Sequence, residues 1–218
     1  MPADYAYFVQ MDIPSDWEAE FNRVYDTEHA KYLCQAPGVH TCNRYQLEST
    51  NAAQFARYAA LYGIDEPGVP YSEGWRIEGE KGDWATKIRP HATNRTHTML
   101  KRISDAGDPT AEAAHIFVVR TDIPADAEDE FNRLYDTVHL PGLCAVDGVA
   151  GARRYRVEAT NADGFPKYVA VYQIEDPSVL ESDAWKAAAQ DEWAAKVSHK
   201  CVGLTRAVMR QVARHPAA

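Results

Sequence analysis

The chain contains one segment twice. Residues 12–29, DIPSDWEAEFNRVYDTEH, return as residues 122–139, DIPADAEDEFNRLYDTVH, so an offset of 110 superimposes the two halves of the 218-residue chain. A repeat of about this length is long enough for a small domain with its own core. The sequence therefore predicts two similar domains, residues 1–103 and 113–218, that form a pseudo-dimer within one chain.

The repeat also allows the two halves to be compared with each other. About half of the positions between Asp12 and Pro67 are identical to the positions 110 residues later, whereas residues 76–83 and 186–192 share almost nothing. Polar residues that persist through this divergence are either required by the fold or used in function. The Glu-Phe-Asn-Arg and Tyr-Asp-Thr-x-His segments are the clearest cases.

Composition limits the classes of partner. The chain is 45% hydrophobic and 25% charged, as in a globular protein, and no apolar run approaches the roughly 20 residues of a membrane-spanning helix. No signal peptide is visible, so a cytoplasmic protein is expected. A net charge of -9 argues against nucleic acid as a partner. The four cysteines form no CxxC and are expected to be reduced thiols, with no metal bound.

Hydrophobic periodicity predicts the same order of elements in each half: strand, helix, strand, strand, helix, strand. The first helix should end at Leu140 in the second half, because Pro141-Gly142 cannot continue it. The second helix should contain Trp75 and Trp84, or Trp185 and Trp193. Closing strands are expected at residues 93–103 and 201–212, and a linker at 104–112. This order places two helices on one face of a four-stranded antiparallel sheet, an α+β fold.

Here the sequence resembles a known group. The element order, the EFNxxYDxxH signature (residues 20–29 and 130–139) and the following Leu-Pro-Gly-Leu are similar to the dimeric α/β-barrel superfamily, especially its EthD-like branch. The resemblance implies two tandem ferredoxin-like βαββαβ units that form an intramolecular barrel, each with a pocket between its sheet and its helices. It implies no single reaction, since members include cyclases, dehydratases, isomerases, cofactor-free oxygenases and haem enzymes.

Histidine and tyrosine lie on one stripe of the first helix. Four-residue spacing directs Tyr25 and His29, and likewise Tyr135 and His139, toward the sheet. Asp26 and Asp136 precede these histidines by three residues, a spacing at which a carboxylate can hold one imidazole nitrogen. The pattern predicts a His-Asp acid–base pair in each half. A buried histidine capped by aspartate, with tyrosine as core filling, explains the same pattern without function.

The predicted hairpins add polar residues that persist in both halves. Arg44 and Arg154 are candidates to bind a carboxylate or an enolate oxygen, and an Arg-Glu ion pair across the barrel interface is an equally good interpretation. The remaining predicted substrate-binding residues are Asn22, Asn132, Tyr62 and Tyr172.

We therefore expect a cofactor-free lyase, isomerase or cyclase acting on a small carbonyl-containing or phenolic metabolite that is aromatic or polyketide-like. His139 moves the proton, Asp136 orients the His139 imidazole, and Tyr135 or Asn132 binds the developing oxyanion. The equivalent residues of the first half are His29, Asp26, Tyr25 and Asn22. Two alternatives stay open. One is an oxygenase, either cofactor-free or haem-dependent with His139 or His29 as the axial ligand, and the other is a non-enzymatic binding protein.

The two pockets are expected to differ. Only the second half keeps His139-Leu-Pro-Gly-Leu, whereas Lys31 and Tyr32 replace Pro141 and Gly142 in the first half and should narrow its pocket. The second pocket is therefore predicted to be the working one. Assembly into a further homo-oligomer is left open by the sequence.

Overall fold

The computed structural model describes residues 3–217, which form eight strands. These are β1 (Tyr5–Asp12), β2 (Val39–Thr50), β3 (Tyr58–Ile64), β4 (Thr93–Gly107), β5 (His115–Asp122), β6 (Val149–Thr160), β7 (Tyr168–Ile174) and β8 (Val202–Pro216). All neighbouring strands pair antiparallel, and they close into a barrel in the order β1-β3-β2-β8-β5-β7-β6-β4. Within each half the order is β4-β1-β3-β2 or β8-β5-β7-β6. The pairs β2–β8 and β4–β6 join the halves.

Helices cover the outer face of the barrel. They are α1 (residues 18–33), α2 (Glu73–Gly79), α3 (residues 128–144), α4 (Asp183–Ala188) and α5 (Glu192–Lys196). A π turn interrupts α1 at Tyr25–His29 and α3 at Tyr135–His139, and a separate π turn, Trp84–Ile88, takes the place of α5 in the first half. No helix in residues 3–217 is long and apolar enough to cross a membrane.

Pairing between the halves lengthens the closing strands. The sequence predicted strands at 93–103 and 201–212, but β4 runs to Gly107 and β8 to Pro216. The added residues find backbone partners in the other half, Gly107 opposite Gly151 and Pro216 opposite Thr41. Residues 104–107 therefore belong to the barrel and not to a linker.

Pro141 does not end the third helix. The sequence predicted a stop at Leu140, but α3 continues to Cys144. The π turn before it changes the bonding pattern, so that Pro141 lies in the first turn of the last helical segment, Leu140–Cys144. A proline costs little there, because that position needs no backbone N–H donor.

Three apolar clusters hold the fold together. One fills the barrel interior and includes Phe8, Tyr45 and Tyr155. The other two lie between the outer face of the sheet and the helices, one in each half, and Phe21 and Phe131 are completely buried in them. Truncating such a phenylalanine to alanine costs about 3–5 kcal/mol. Each of these two outer layers contains a cavity.

Candidate active site

A cavity of about 930 Å³ lies between the sheet and the helices of the second half. Its walls are mostly aromatic and aliphatic, and they include Phe117, Leu143, Trp185 and Trp193. A volume of this size accommodates a ligand of several rings, since ligand pockets range over roughly 300–1,000 Å³. Asn51 from the first half also lines the cavity, so barrel closure contributes to its wall.

The π turn in α3 places Tyr135 and His139 side by side on the cavity wall. Their ring centroids are 4.9 Å apart and the rings meet edge to face at 80°. The hydroxyl of Thr137 donates to the carbonyl oxygen of Arg133 (2.8 Å), four residues earlier, and so takes up an acceptor of the α-helical ladder. Thr27 makes the same bond to Arg23 in the first half. π turns are rare and are frequent at functional sites.

Asp191 holds His139. The His139 Nδ1–H donates to Asp191 Oδ2 at 2.8 Å, and the imidazole stacks on Trp193 with centroids 4.2 Å apart and planes at 27°. Burial lowers the pKa of His139, and the Asp191 carboxylate opposes that shift. The ring is therefore neutral near pH 7. Because Nδ1 donates to Asp191, Nε2 is left as the basic nitrogen.

This pairing corrects the expected partner of His139. Asp136 binds the guanidinium of Arg154 and accepts from Ser104 instead. The physical reason is charge: Arg154 is only 1% exposed, and a buried cation needs a carboxylate far more than a neutral imidazole does. In the first half Arg44 binds the carboxylate of Asp26 in the same way.

The two buried arginines also change the predicted roles of the asparagines. Arg154 Nη2 donates to Asn132 Oδ1 (2.9 Å), and Arg44 Nη2 donates to Asn22 Oδ1 (3.0 Å). The guanidinium of Arg154 lies 4.1 Å from the centroid of the Tyr135 ring. Asn132 and Arg154 do not line the cavity, which corrects the expectation that they contact the ligand, and Asp136 does not line it either. They join α3 to β6 beneath the site.

Tyr135 and Tyr172 form a pair of hydroxyls in the cavity wall. Their oxygens are 2.8 Å apart, and burial raises the pKa of both phenols, that of Tyr172 well above 10.0. Both groups therefore stay protonated. Two hydroxyl protons and one internal hydrogen bond leave one O–H free to donate to a ligand oxygen.

Helix spacing does not indicate Asp191 as the partner of His139, because Asp191 lies 52 residues later in the chain. Its other oxygen accepts from the backbone N–H of Ala194 (2.9 Å) and caps α5. A signal was present: Asp191 precedes Trp193 by two residues, and the position two before Trp84 is Gly82. The carboxylate is therefore specific to the second half.

The first-half histidine has different surroundings. His29 stacks on Trp84 at 4.4 Å, and Tyr25 and Tyr62 share a hydrogen bond of 2.9 Å, but His29 Nδ1 has no hydrogen-bond partner within residues 3–217. Burial, together with nearby arginines, lowers the pKa of His29 to about 3. It stays neutral without the carboxylate that would stabilise its charged form.

The first cavity is about 250 Å³, much smaller than the second. The expected inequality is present, but Lys31 and Tyr32, the residues predicted to cause it, do not line this cavity. It is lined instead by side chains including Tyr7, Arg95 and His97. Strand pairing gives their second-half equivalents as Phe117, Leu204 and Arg206.

Comparison with known proteins shows similarity in structure only. No family model matches the chain, and no curated protein matches it in sequence. A protein of Fusobacterium nucleatum subsp. nucleatum, described as a candidate monooxygenase, matches with a TM-score of 0.66 at 10% identity over 99% of this chain and 96% of its own. An anthrone oxidase-like protein matches with a TM-score of 0.59 at 10% identity over 98% and 93%.

A chlorite dismutase of Candidatus Nitrospira defluvii matches with a TM-score of 0.56 at 12% identity over 94% of this chain and 90% of its own. Identities this low show a shared fold and do not transfer a reaction. The chain is an α+β protein with a closed, eight-stranded antiparallel barrel, a fold that it shares with these proteins.

Proposed function

We propose that the protein is a general acid–base enzyme that acts in the second-half cavity on a small, mostly apolar metabolite with a carbonyl or phenol group. The observation that supports this most is the buried His139–Asp191 pair on the wall of a 930 Å³ aromatic cavity. A neutral imidazole held by a carboxylate is suited to proton transfer near neutral pH. The reaction class is a cofactor-free lyase, isomerase or cyclase.

The mechanism begins with removal of a proton next to the carbonyl, or from a phenol, by His139 Nε2. Asp191 stabilises the imidazolium that forms, and the free hydroxyl proton of the Tyr135–Tyr172 pair donates to the developing oxyanion. The imidazolium then returns the proton to another atom of the substrate or to a leaving group. Aromatic walls exclude water, which strengthens both interactions.

A cofactor-free oxygenase is the second candidate. Removal of the same proton produces an electron-rich enolate or phenolate, and such an anion can reduce molecular oxygen. The neighbours described as a candidate monooxygenase and as anthrone oxidase-like favour this outcome. Both candidates share the first step, so His139 has the same role in each.

Haem is the remaining alternative for an oxygenase. The donor set fits it: His139 would hold the iron, and a carboxylate on the second ring nitrogen, here Asp191, is the usual partner of a histidine metal ligand. Bound haem would supply one-electron and oxygen chemistry. His139 would then be unavailable as a base. The visible spectrum of the protein purified from haem-supplemented cells separates this alternative from the other two.

Anthrone is a suitable probe, because its methylene group is acidic and its three rings suit the second cavity. Under argon in D₂O, an acid–base enzyme should catalyse exchange of the methylene hydrogens, measured by mass spectrometry. Admitting oxygen then distinguishes the outcomes: an oxygenase consumes one O₂ and forms the quinone and water, whereas an isomerase leaves the deuterated anthrone. Anthrone that binds and is recovered without deuterium would instead support a non-enzymatic binding protein.

The finer assignment of the fold is also a proposal. We infer that the two halves, predicted as residues 1–103 and 113–218 and with β4 extending the first half to Gly107, are tandem ferredoxin-like units of the EthD-like branch, paired as a pseudo-dimer within one chain. The offset of 110 and the matching strand orders of the two halves support this. Expression of residues 113–218 alone tests it: an independent unit should fold and self-associate through its exposed β6 and β8 edges.

A further inference from the structure

The first-half cavity contains a cation without an ionic partner. Arg95 lines the cavity and makes no ion pair with any carboxylate of residues 3–217, and its buried Nε has no hydrogen-bond partner there. Among residues 3–217 its guanidinium is bound through Nη2 alone, which donates to His97 Nε2 at 3.3 Å. A partly buried guanidinium in this state has unused capacity to bind an anion.

The bond from Arg95 fixes the proton positions of two neighbours. Because His97 Nε2 accepts from Arg95, the neutral His97 ring carries its proton on Nδ1, 2.8 Å from the hydroxyl of Tyr7. Burial and Arg95 lower the pKa of His97 to about 4, which keeps the ring neutral. Tyr7 therefore accepts from His97, and its own hydroxyl proton is free. Arg95 and Tyr7 both offer donors in one small cavity.

The other charged groups of this cavity leave Arg95 uncompensated. Arg89 is paired with Glu80 at 2.8 Å, and Arg76 is paired with Glu73 at 3.9 Å. Glu80 is the carboxylate among the lining residues, and it is already bound to Arg89. The remaining charge in the cavity is positive.

The walls of the first-half cavity determine the size and shape of the rest of the ligand. Trp75 meets Tyr7 edge to face at 5.7 Å and Tyr62 at 5.1 Å, and Trp84 closes the cavity near His29. A volume of about 250 Å³ lies below the roughly 300 Å³ at which drug-sized pockets begin, so the ligand is limited to a single ring. Aromatic edges and faces favour a flat ring.

We propose that the first-half cavity is a separate binding site for a one-ring aromatic carboxylate, with the carboxylate on Arg95 and Tyr7 and the ring between Trp75 and Trp84. The second half has no equivalent, since Phe117 and Leu204 replace Tyr7 and Arg95. The divergence between the halves has therefore produced two sites of different size and charge. This site is independent of the reaction proposed for the second cavity.

Benzoate is the probe, and benzamide is its neutral control. Calorimetric titration of the full chain should show one benzoate site and at least tenfold weaker binding of benzamide. Arg95→Leu introduces the residue found at the equivalent position of the second half and should weaken benzoate binding by about 10- to 100-fold. Tyr7→Phe, the milder change, should weaken it by about 3- to 10-fold.

Two further variants locate the site and guard against misfolding. Arg206→Leu, which removes a cation from the second cavity, should leave the benzoate affinity unchanged. Arg95→Lys keeps the charge and should retain more affinity than Arg95→Leu. The proposal is overturned if wild-type protein does not bind benzoate, if benzamide binds equally well, or if folded Arg95→Leu and Tyr7→Phe proteins bind benzoate as tightly as wild type.

Discussion

Replacing Asp191 by asparagine tests the proposed base with the smallest change in shape. Asparagine caps helices as well as aspartate does, so its amide oxygen can keep the bond from Ala194. The amide NH₂ then faces His139 Nδ1, which must accept rather than donate. The histidine proton therefore moves to Nε2, and the basic lone pair is lost from the nitrogen that acts on the substrate.

The expected loss follows from the charge pair in the transition state. Two opposite charges about 4 Å apart interact by about 4 kcal/mol at the effective dielectric constant of a protein site, and a charge-assisted hydrogen bond alone contributes about 2 kcal/mol. Asp191→Asn should therefore lower kcat by about 30- to 1,000-fold.

The assay is the pH profile of kcat/KM for hydrogen exchange into anthrone. Asp191 raises the pKa of His139, so the acidic limb should move to lower pH in Asp191→Asn. Asp136→Asn is the control, because that carboxylate contacts Arg154 and not His139; it should keep the wild-type limb. Wild-type turnover in Asp191→Asn, or a larger shift in Asp136→Asn, would show that Asp191 does not support His139 as the base.

Three further predictions concern stability. His29 has a pKa of about 3 in the fold and about 6.5 in the unfolded chain, so between those values only the unfolded chain binds this proton and stability falls as the pH falls. His29→Gln should remove up to about 2 kcal/mol of the stability that the wild type loses between pH 7.5 and 5, measured by guanidinium unfolding, and equal pH slopes would contradict this. Arg154→Met leaves Asp136 and Asn132 without their buried donor and should cost about 1–3 kcal/mol in urea unfolding, where a cost below about 1 kcal/mol would argue against a structural ion pair. Gly148→Ala should lower stability by about 1–3 kcal/mol, because φ is +86° and the new Cβ would lie 2.6 Å from a valine side chain. Gly164→Ala, with φ of +64° and open space around it, should lower stability less, and thermal melts of the two variants test this.

The repeat and its hydrophobic alternation predicted the strands, the helices and the antiparallel sheet of each half, because these are local signals. Closure of the two sheets into one barrel was expected only from the resemblance to the dimeric α/β-barrel superfamily. The lengths of β4 and β8 were not predictable in that way, since their last residues pair with strands of the other half. The predicted stop at Pro141 was wrong for a local reason: the π turn before the proline places it in the first turn of a new helical segment, where no backbone N–H donor is needed.

The site was predicted in part. Tyr135 and His139 line the cavity as the helical stripe indicated, and Tyr172 joins them from β7. The carboxylate partner of His139 could not be found from helix spacing. Arg154 binds Asp136 because its buried charge needs a carboxylate, and this burial is visible only in the folded structure. Arg95 and Tyr7 were not predicted as site residues, because the two side chains line the same cavity only when β1 and β4 pair.

In the proposed mechanism His139, and not His29, removes a proton from the ligand. The most direct test of this step is hydrogen exchange into anthrone under argon, with His139→Ala and His29→Ala assayed side by side. We expect His139→Ala to lose about 100-fold or more of the exchange rate and His29→Ala to stay within about twofold of wild type. Exchange at the wild-type rate in His139→Ala, or a larger loss in His29→Ala, would show that His139 is not the base.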